Sequence, residues 1–366
     1  MNPSRHRYAL CAIAGVWAAL WSMSTARGQL QQTNIPSDTI TAESISPDQL
    51  RTIQQMIEEN VSALESGDFK AIKDARKRLV DPLRFPGKTP AFDKAYQTGI
   101  CERMSDTVVA EDVVVRMNAM IVVSYLTQPI AIPRVLPGLT DDSPGVRYWA
   151  SRGAYSVAAE EQLDQQLQQQ LLDTLEEAIG REEDEKVLGG LLKATVALEI
   201  PQAKRALIEA LDERVEIHVN HPESLYDAER VAMNRLLHEL IGEQEAGRPI
   251  DADTVRKFAS AAYRYSLVAA QQLQNDASLP PNVVNDHGQL ILLGENILKF
   301  CIKALNVAAR QPQSWEHAVR IKQWAFVLVE LENWKRILTT PQFGLKDADL
   351  EIQAEPEPDQ EQAAVQ

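Results

Sequence analysis

Two short segments of this chain repeat each other at a distance of 31 residues, and no other feature constrains the fold as strongly. Asp112-Val113-Val114-Val115-Arg116-Met117-Asn118-Ala119 lies over Ser143-Pro144-Gly145-Val146-Arg147-Tyr148-Trp149-Ala150. Val115 falls on Val146, Arg116 on Arg147, Ala119 on Ala150 and Val123 on Ala154. A weaker third copy, offset by 41, puts Val187 and Ala194 in the places of Val146 and Gly153. The second and third copies each follow an apolar stretch, Ile132 to Leu139 and Leu167 to Ile179. A two-helix unit of about 30 to 45 residues cannot bury its apolar face alone and does so by stacking on its neighbours, which is a helical solenoid.

The flanking chain also reads at helical period. Ser46-Pro47-Asp48-Gln49 is a capping box with proline at the first helical position, and Leu50, Ile53, Ile57, Val61 and Leu64 form the stripe behind it. Phe69, Ile72, Ala75 and Leu79 give a second helix, expected to stop at Asp81-Pro82. A third begins at Thr89-Pro90, with Phe92, Tyr96, Ile100 and Met104 on one side. Beyond 215 the apolar stripes lengthen and the repeat fades. Leu225 to Leu240, Val255 to Leu273 and Val283 to Ala308 each carry one, and Val319 to Leu338 carries the last, capped by Ser314. No strand pattern persists. The expected fold is all-α: a solenoid of antiparallel helix pairs over 47–215, then a C-terminal bundle of longer helices over 216–340.

The run Val135-Leu136-Pro137-Gly138-Leu139-Thr140-Asp141-Asp142-Ser143-Pro144-Gly145-Val146-Arg147-Tyr148-Trp149-Ala150 resembles a HEAT repeat: apolar helix, acidic turn, proline, Val-Arg, then small residues. The match is best over 132–158. The resemblance implies that Asp141 or Asp142 and Arg147 belong to a polar ladder between neighbouring units, with Val146 and Ala150 packed inside. It also implies a scaffold that presents a groove to a protein partner.

The two ends carry other signals. Arg5 and Arg7 precede a 14-residue apolar run, Tyr8 to Trp21, followed by Ser22, Ser24, Ala26 and Gly28. A bilayer span needs about 20 residues, so 1–28 reads as a cleaved secretory leader. Cuts after Ala26 and after Gly28 both fit, the second better. Export would place the protein in the periplasm or outside the cell. Residues 29–46 read as a polar linker and 341–366 as an acidic, disordered tail (Glu355-Pro356-Glu357-Pro358-Asp359), so removing 347–366 is expected to leave stability unchanged. Past the leader, 34 Lys and Arg face 52 Asp and Glu, a balance unsuited to nucleic-acid backbones. Only Cys101 and Cys301 remain there. They make no disulfide framework and read as buried, small apolar residues, with a single bridge as the alternative.

Chemistry-bearing motifs are scarce. There is no G-x-G-x-x-G, G-x-S-x-G, H-E-x-x-H or C-x-x-C. Gly87-Lys88-Thr89 mimics the end of a phosphate loop, but Pro82 stands where that loop needs glycine. No catalytic residue and no cofactor is expected. The metal-ligand candidates are His218 and His221, near Glu216, Glu223 and Asp227; a histidine ending a helix is explained equally by the helix dipole. The other feature is a basic segment, 70–88. There Lys70, Lys73, Arg76, Lys77, Arg78, Arg84 and Lys88 face only Asp74 and Asp81. Lys73, Lys77 and Arg78 are its candidate anion-binding residues. The leading reading is a non-catalytic interaction scaffold. Its rivals are an envelope or polyanion binder using 70–88, and a metal protein or enzyme using His218 and His221.

Overall fold

A computed structural model describes residues 35–159 and 163–352. It is helical throughout, with no strand among the described residues, and none of its helices is long and apolar enough to cross a membrane. The leader, 1–28, and the acidic run after Ile352 lie outside the described residues. The chain divides into two compact units between Gly99 and Ile100.

The first unit holds α1 (Ser37–Ile40), α2 (Pro47–Leu64), α3 (Phe69–Leu83) and most of α4 (Pro90–Arg103). The Ser46–Gln49 box caps α2 with reciprocal bonds of 3.3 and 2.9 Å. Asp68 caps α3, accepting from the amides of Lys70 and Ala71 at 2.7 and 3.0 Å. Gly67, at φ +74°, supplies the turn between the two helices. Ile53, Ile57, Val61 and Leu64 meet Ile72, Ala75 and Leu79, with Phe92 and Tyr96 buried alongside. Helix α3 runs on to Leu83 through Pro82, because a proline so near the end forfeits little of the backbone ladder. Asn60, the glycosylation-like Asn of Asn60-Val61-Ser62, is buried, its amide donating to the Met56 carbonyl.

The linker expectation needs correcting from residue 35 onward. Ile35 and Ile40 are buried, the Thr89 amide donates to the Ile40 carbonyl at 3.1 Å, and the Thr89 hydroxyl donates to the Ala42 carbonyl at 2.6 Å. Two isoleucines among polar residues carry no period, yet they suffice to bind the segment to the unit.

The second unit stacks helices in two layers. One layer is α5 (Val113–Val123), α7 (Pro144–Ala158), α9 (Glu185–Ala197), α11 (Asp227–Glu245) and α13 (Pro281–Ala304). The other is α6 (Ile132–Leu139), α8 (Gln165–Arg181), α10 (Pro201–Val219), α12 (Ala252–Asn275) and α15 (Trp324–Leu338). Within each layer every helix packs on the next, and turns such as Thr140–Ser143 and Glu182–Asp184 join one layer to the other. The fold is therefore all-α and solenoid-like. The longer C-terminal helices extend the same two layers, and the boundary expected at 215/216 falls inside α10.

Small residues set how closely the helices approach. A Cβ on Gly190 of α9 would lie 2.2 Å from Ser151 Oγ of α7, and one on Gly294 of α13 would lie 2.0 Å from Ser266 Oγ of α12. Both contacts are shorter than side chains tolerate, so a larger residue at either position would have to displace the facing serine. Cys101 and Cys301 are buried and unbonded. Burial is the main cause that raises both thiol pKa values, that of Cys101 to about 12, so neither is a reactive thiolate.

Two C-terminal expectations also change. The last helix is broken into α14 (Glu316–Arg320) and α15, with Lys322 at φ +58° between them. The start of the supposed disordered tail is folded. Phe343 and Leu350 are buried, and residues Asp347–Leu350 form a turn of 3-10 helix. Arg256 donates to the Phe343 carbonyl at 2.7 Å and Ser260 to that of Asp349. The acidic composition masked two large apolar anchors.

Candidate functional site

The feature common to the stacked units is a line of alternating charge between the layers. Arg116 is the fourth residue of α5. Its Nε and Nη2 meet Asp141 at 2.7 and 3.2 Å, and its Nη1 donates to the carbonyls of Ala110 and Glu111, each at 2.8 Å. Arg147, the fourth residue of α7, repeats this. Nε and Nη2 meet Glu182 at 2.7 and 2.9 Å, and Nη1 donates to the carbonyls of Asp141 and Asp142 at 2.9 and 3.1 Å. In both cases the carboxylate lies three residues before the next helix of that layer. It also accepts from that turn's own amides: Ser143 for Asp141, and Glu183 and Asp184 for Glu182. The paired carboxylates raise both guanidinium pKa values.

The structure thus gives the predicted ladder residues distinct parts. Asp141 pairs with Arg116 of the preceding unit. Arg147 takes its carboxylate from the following unit. Asp142 contributes only its main-chain carbonyl, and its side chain is exposed. Glu182 was not singled out in the sequence. The signal that could have found it is its place three residues before α9, matching Asp141 before α7.

At α9 the pattern changes, since Leu188 occupies the fourth position. Arg214 of α10 takes over from the other layer. Its Nη1 donates to the Glu182 carbonyl at 3.1 Å and its Nε to Glu229 Oε1 at 3.2 Å. His218 Nε2 meets the same Glu229 oxygen at 3.1 Å. Burial pushes the Glu229 pKa up, but His218 and Arg214 outweigh it and hold that carboxyl below its ordinary value. Gln272 donates to the His218 carbonyl and accepts from the Tyr226 hydroxyl and His287 Nε2, each at 2.9 Å. The Tyr226 amide donates to Asp286 at 2.6 Å, and Arg230 closes the group on Asp286 at 3.3 Å. The ring of Tyr226 packs on His218 at 4.1 Å and on His287 at 4.7 Å.

This arrangement excludes His218 and His221 as joint ligands. His218 is buried against Glu229, whereas His221 lies past the end of α10, exposed, 3.7 Å from Glu223. Among the described residues no group of three or more His, Cys, Asp or Glu side chains is placed to hold a metal. Although His218 and Glu229 form a histidine–carboxylate pair, the ring is sealed beneath Tyr226 and Tyr265 and is bonded to no hydroxyl or thiol. Its contacts join α10 to α11.

The surface carries further features. A groove of about 510 Å³ crosses α7, α9 and α11, lined by Tyr148, Lys186, Gly189, Lys193, Val231 and Arg235 among others. Lys193 Nζ stands 4.3 Å over the Tyr155 ring, Arg235 lies 5.9 Å from that ring, and Arg152 stands 5.2 Å over Trp149. A larger cleft of about 710 Å³, between α12 and α15, is walled partly by the chain's own Leu350, Glu351 and Ile352. The candidate anion-binding residues Lys73, Lys77 and Arg78 lie on α3, all exposed.

No family model matches this chain, and no curated protein matches it either. Among solved structures it is similar to two engineered proteins, both Northeast Structural Genomics Consortium targets. One is 15% identical, with 83% of this chain and 77% of that chain covered and a TM-score of 0.42. The other is 15% identical, with 76% of this chain and 97% of that chain covered and a TM-score of 0.37. Scores this low carry no weight for function.

Proposed function

We propose that this protein is an exported, non-catalytic scaffold with HEAT-like repeats that binds a segment of a protein partner in the groove across α7, α9 and α11. The observation that carries the reading is the groove's chemistry. Along its walls Lys186, Lys193 and Arg235 outnumber Glu185 and Asp227, beside Tyr148, in a chain whose formal net charge is −15. Val231, 51% exposed, adds an apolar surface to the groove wall. Stacked helix pairs present such surfaces across several units at once. Tyr148, Lys186, Lys193 and Arg235 suit an acidic segment bearing one apolar side chain: the carboxylates meet the cations and the apolar group meets Val231. Export rests on the leader-like sequence of residues 1–28, and the HEAT-like character on the Asp141 to Arg147 run and its ladder.

Selection of random peptides on the immobilised full chain tests this reading. Enriched sequences should carry acidic residues around an apolar one. Their binding should fall at least tenfold in Val231→Glu or Lys193→Glu chains that melt like wild type, because about 1.4 kcal/mol of lost contact is tenfold. Absence of enrichment, or binders indifferent to both substitutions, overturns the proposal.

A further inference from the structure

The exposed face of α3 is chemically unlike the rest of the protein. Residues 35–99 carry nine Lys and Arg against ten Asp and Glu, so the first unit is close to neutral. Seven of those nine bases fall between 70 and 88. At 3.6 residues per turn, Lys70, Lys73, Lys77 and Arg84 fall within roughly 60° around the helix, opposite Ile72, Ala75 and Leu79, which are buried. All four bases are exposed. Asp74 and Asp81 lie at the edge of this stripe. Beside it, at the first residue of α3, the Phe69 ring is 77% exposed, although the sequence pattern placed it on the buried stripe.

An exposed phenylalanine flanked by lysines has the composition of a surface that lies on lipid headgroups. The ring enters the headgroup–acyl boundary, and the lysine stems cover apolar area while their ammonium groups meet phosphates. Lysine acts as a point charge and demands no fixed partner geometry, which suits a fluid layer of headgroups. The overall negative charge does not prevent this. At physiological ionic strength the Debye length is about 8 Å, so charges on distant helices are screened and the α3 face dominates at close range.

We propose that α3 is a peripheral membrane-contact surface, with Lys70, Lys73, Lys77 and Arg84 meeting anionic phospholipid headgroups and Phe69 inserting beside them. This surface is separate from the α7–α9–α11 groove, and neither proposal needs the other.

Cosedimentation of the full chain with vesicles tests it, comparing phosphatidylcholine alone with phosphatidylcholine containing phosphatidylglycerol at physiological salt. Binding is expected only with the anionic lipid. Lys73→Gln with Lys77→Gln should lower the partition about 30-fold, the effect of two lysines at an anionic surface. Phe69→Ala should lower it several-fold at unchanged charge, while Arg181→Gln with Lys303→Gln, exposed bases elsewhere, should leave it unchanged. Equal sedimentation with both vesicle types overturns the proposal. So does a double lysine variant that binds like wild type while melting like it. Loss of binding to soluble poly-aspartate in the lysine variant, with Phe69→Ala neutral in both assays, would assign the stripe to polyanions instead and equally overturn it.

Discussion

Replacing Glu182 with alanine should destabilise the second unit by about 3 kcal/mol. The Glu182 side chain is 1% exposed and that of Arg147 20%. The substitution removes the two bonds to Arg147, at 2.7 and 2.9 Å, and the acceptor for the amides of Glu183 and Asp184. Stripping one partner from a buried ion pair costs about 3–5 kcal/mol. Arg147 keeps the carbonyls of Asp141 and Asp142 and some contact with water, which places the cost at the low end. For a unit of this size about 1 kcal/mol corresponds to roughly 2–4 °C, so the melting temperature should fall by about 6–12 °C. Thermal unfolding followed by far-ultraviolet circular dichroism gives the single-variant values. A double-mutant cycle with Arg147→Met should then return a coupling of about 1.5–3 kcal/mol. Asp142→Ala is the control. Its exposed side chain holds no rung, and it should stay within about 0.5 kcal/mol of wild type. A Glu182→Ala chain that melts within about 1 °C of wild type, or a coupling near zero, would refute the ladder as a source of stability.

Other outcomes follow from the same contacts. Burial, partly offset by Asp286, lowers the His287 pKa to about 4. The unfolded chain therefore takes up a proton near pH 6.5 that the folded chain refuses until about pH 4, so stability falls as pH drops through that window and is flat above it. The loss is at most about 3 kcal/mol, and about 2 kcal/mol after allowing for solvent screening. Between pH 7 and 5, His287→Gln should lessen the fall in denaturant-derived stability on acidification by up to about 2 kcal/mol. Gly190→Ala should cost about 1–3 kcal/mol by forcing its Cβ onto Ser151, and Ser151→Gly in the same chain should restore most of the loss on melting. Leu350→Asp should lower stability by about 2–3 kcal/mol, since it buries a charge against α12; unchanged melting would mean that the segment after Pro341 does not pack. Intact-mass measurement of protein secreted from an export-competent host should show loss of the first 26 or 28 residues, and retention of Met1 to Gly28 would reject the leader.

Much of the helical framework was legible because local rules govern it. Ser46 and the prolines at 47, 90 and 144 mark helix starts, and the 31-residue offset correctly superposed α5 on α7. What could not be read were the partners. The carboxylate for Arg116 is 25 residues away and that for Arg147 is 35, because the intervening helices differ in length; only the place three residues before the next helix, shared by Asp141 and Glu182, marks both. Past α9 the helices outgrow the repeat, and the sequence offset disappears although the layers continue. The cluster around Tyr226 joins residues 46 and 60 positions apart, and nothing local to Tyr226, Gln272 or Asp286 announces it. Ile35, Phe343 and Leu350 carry no such signal, because a single apolar anchor among polar residues leaves no period.

The interior line of charge has a consequence for how the molecule can be altered. In many repeat arrays each unit stabilises only its neighbours, so whole units can be deleted or duplicated. In this chain Arg147 grips a carboxylate of the next unit and main-chain carbonyls at its own start, and Arg214 binds the Glu182 carbonyl and Glu229 in the same way. A cut that parts either arginine from its acid, such as one between α7 and Glu182, strands a guanidinium or a carboxylate between the layers. From α5 to α11, therefore, a helix pair can be gained or lost without that cost only where the cut keeps each arginine with its acid.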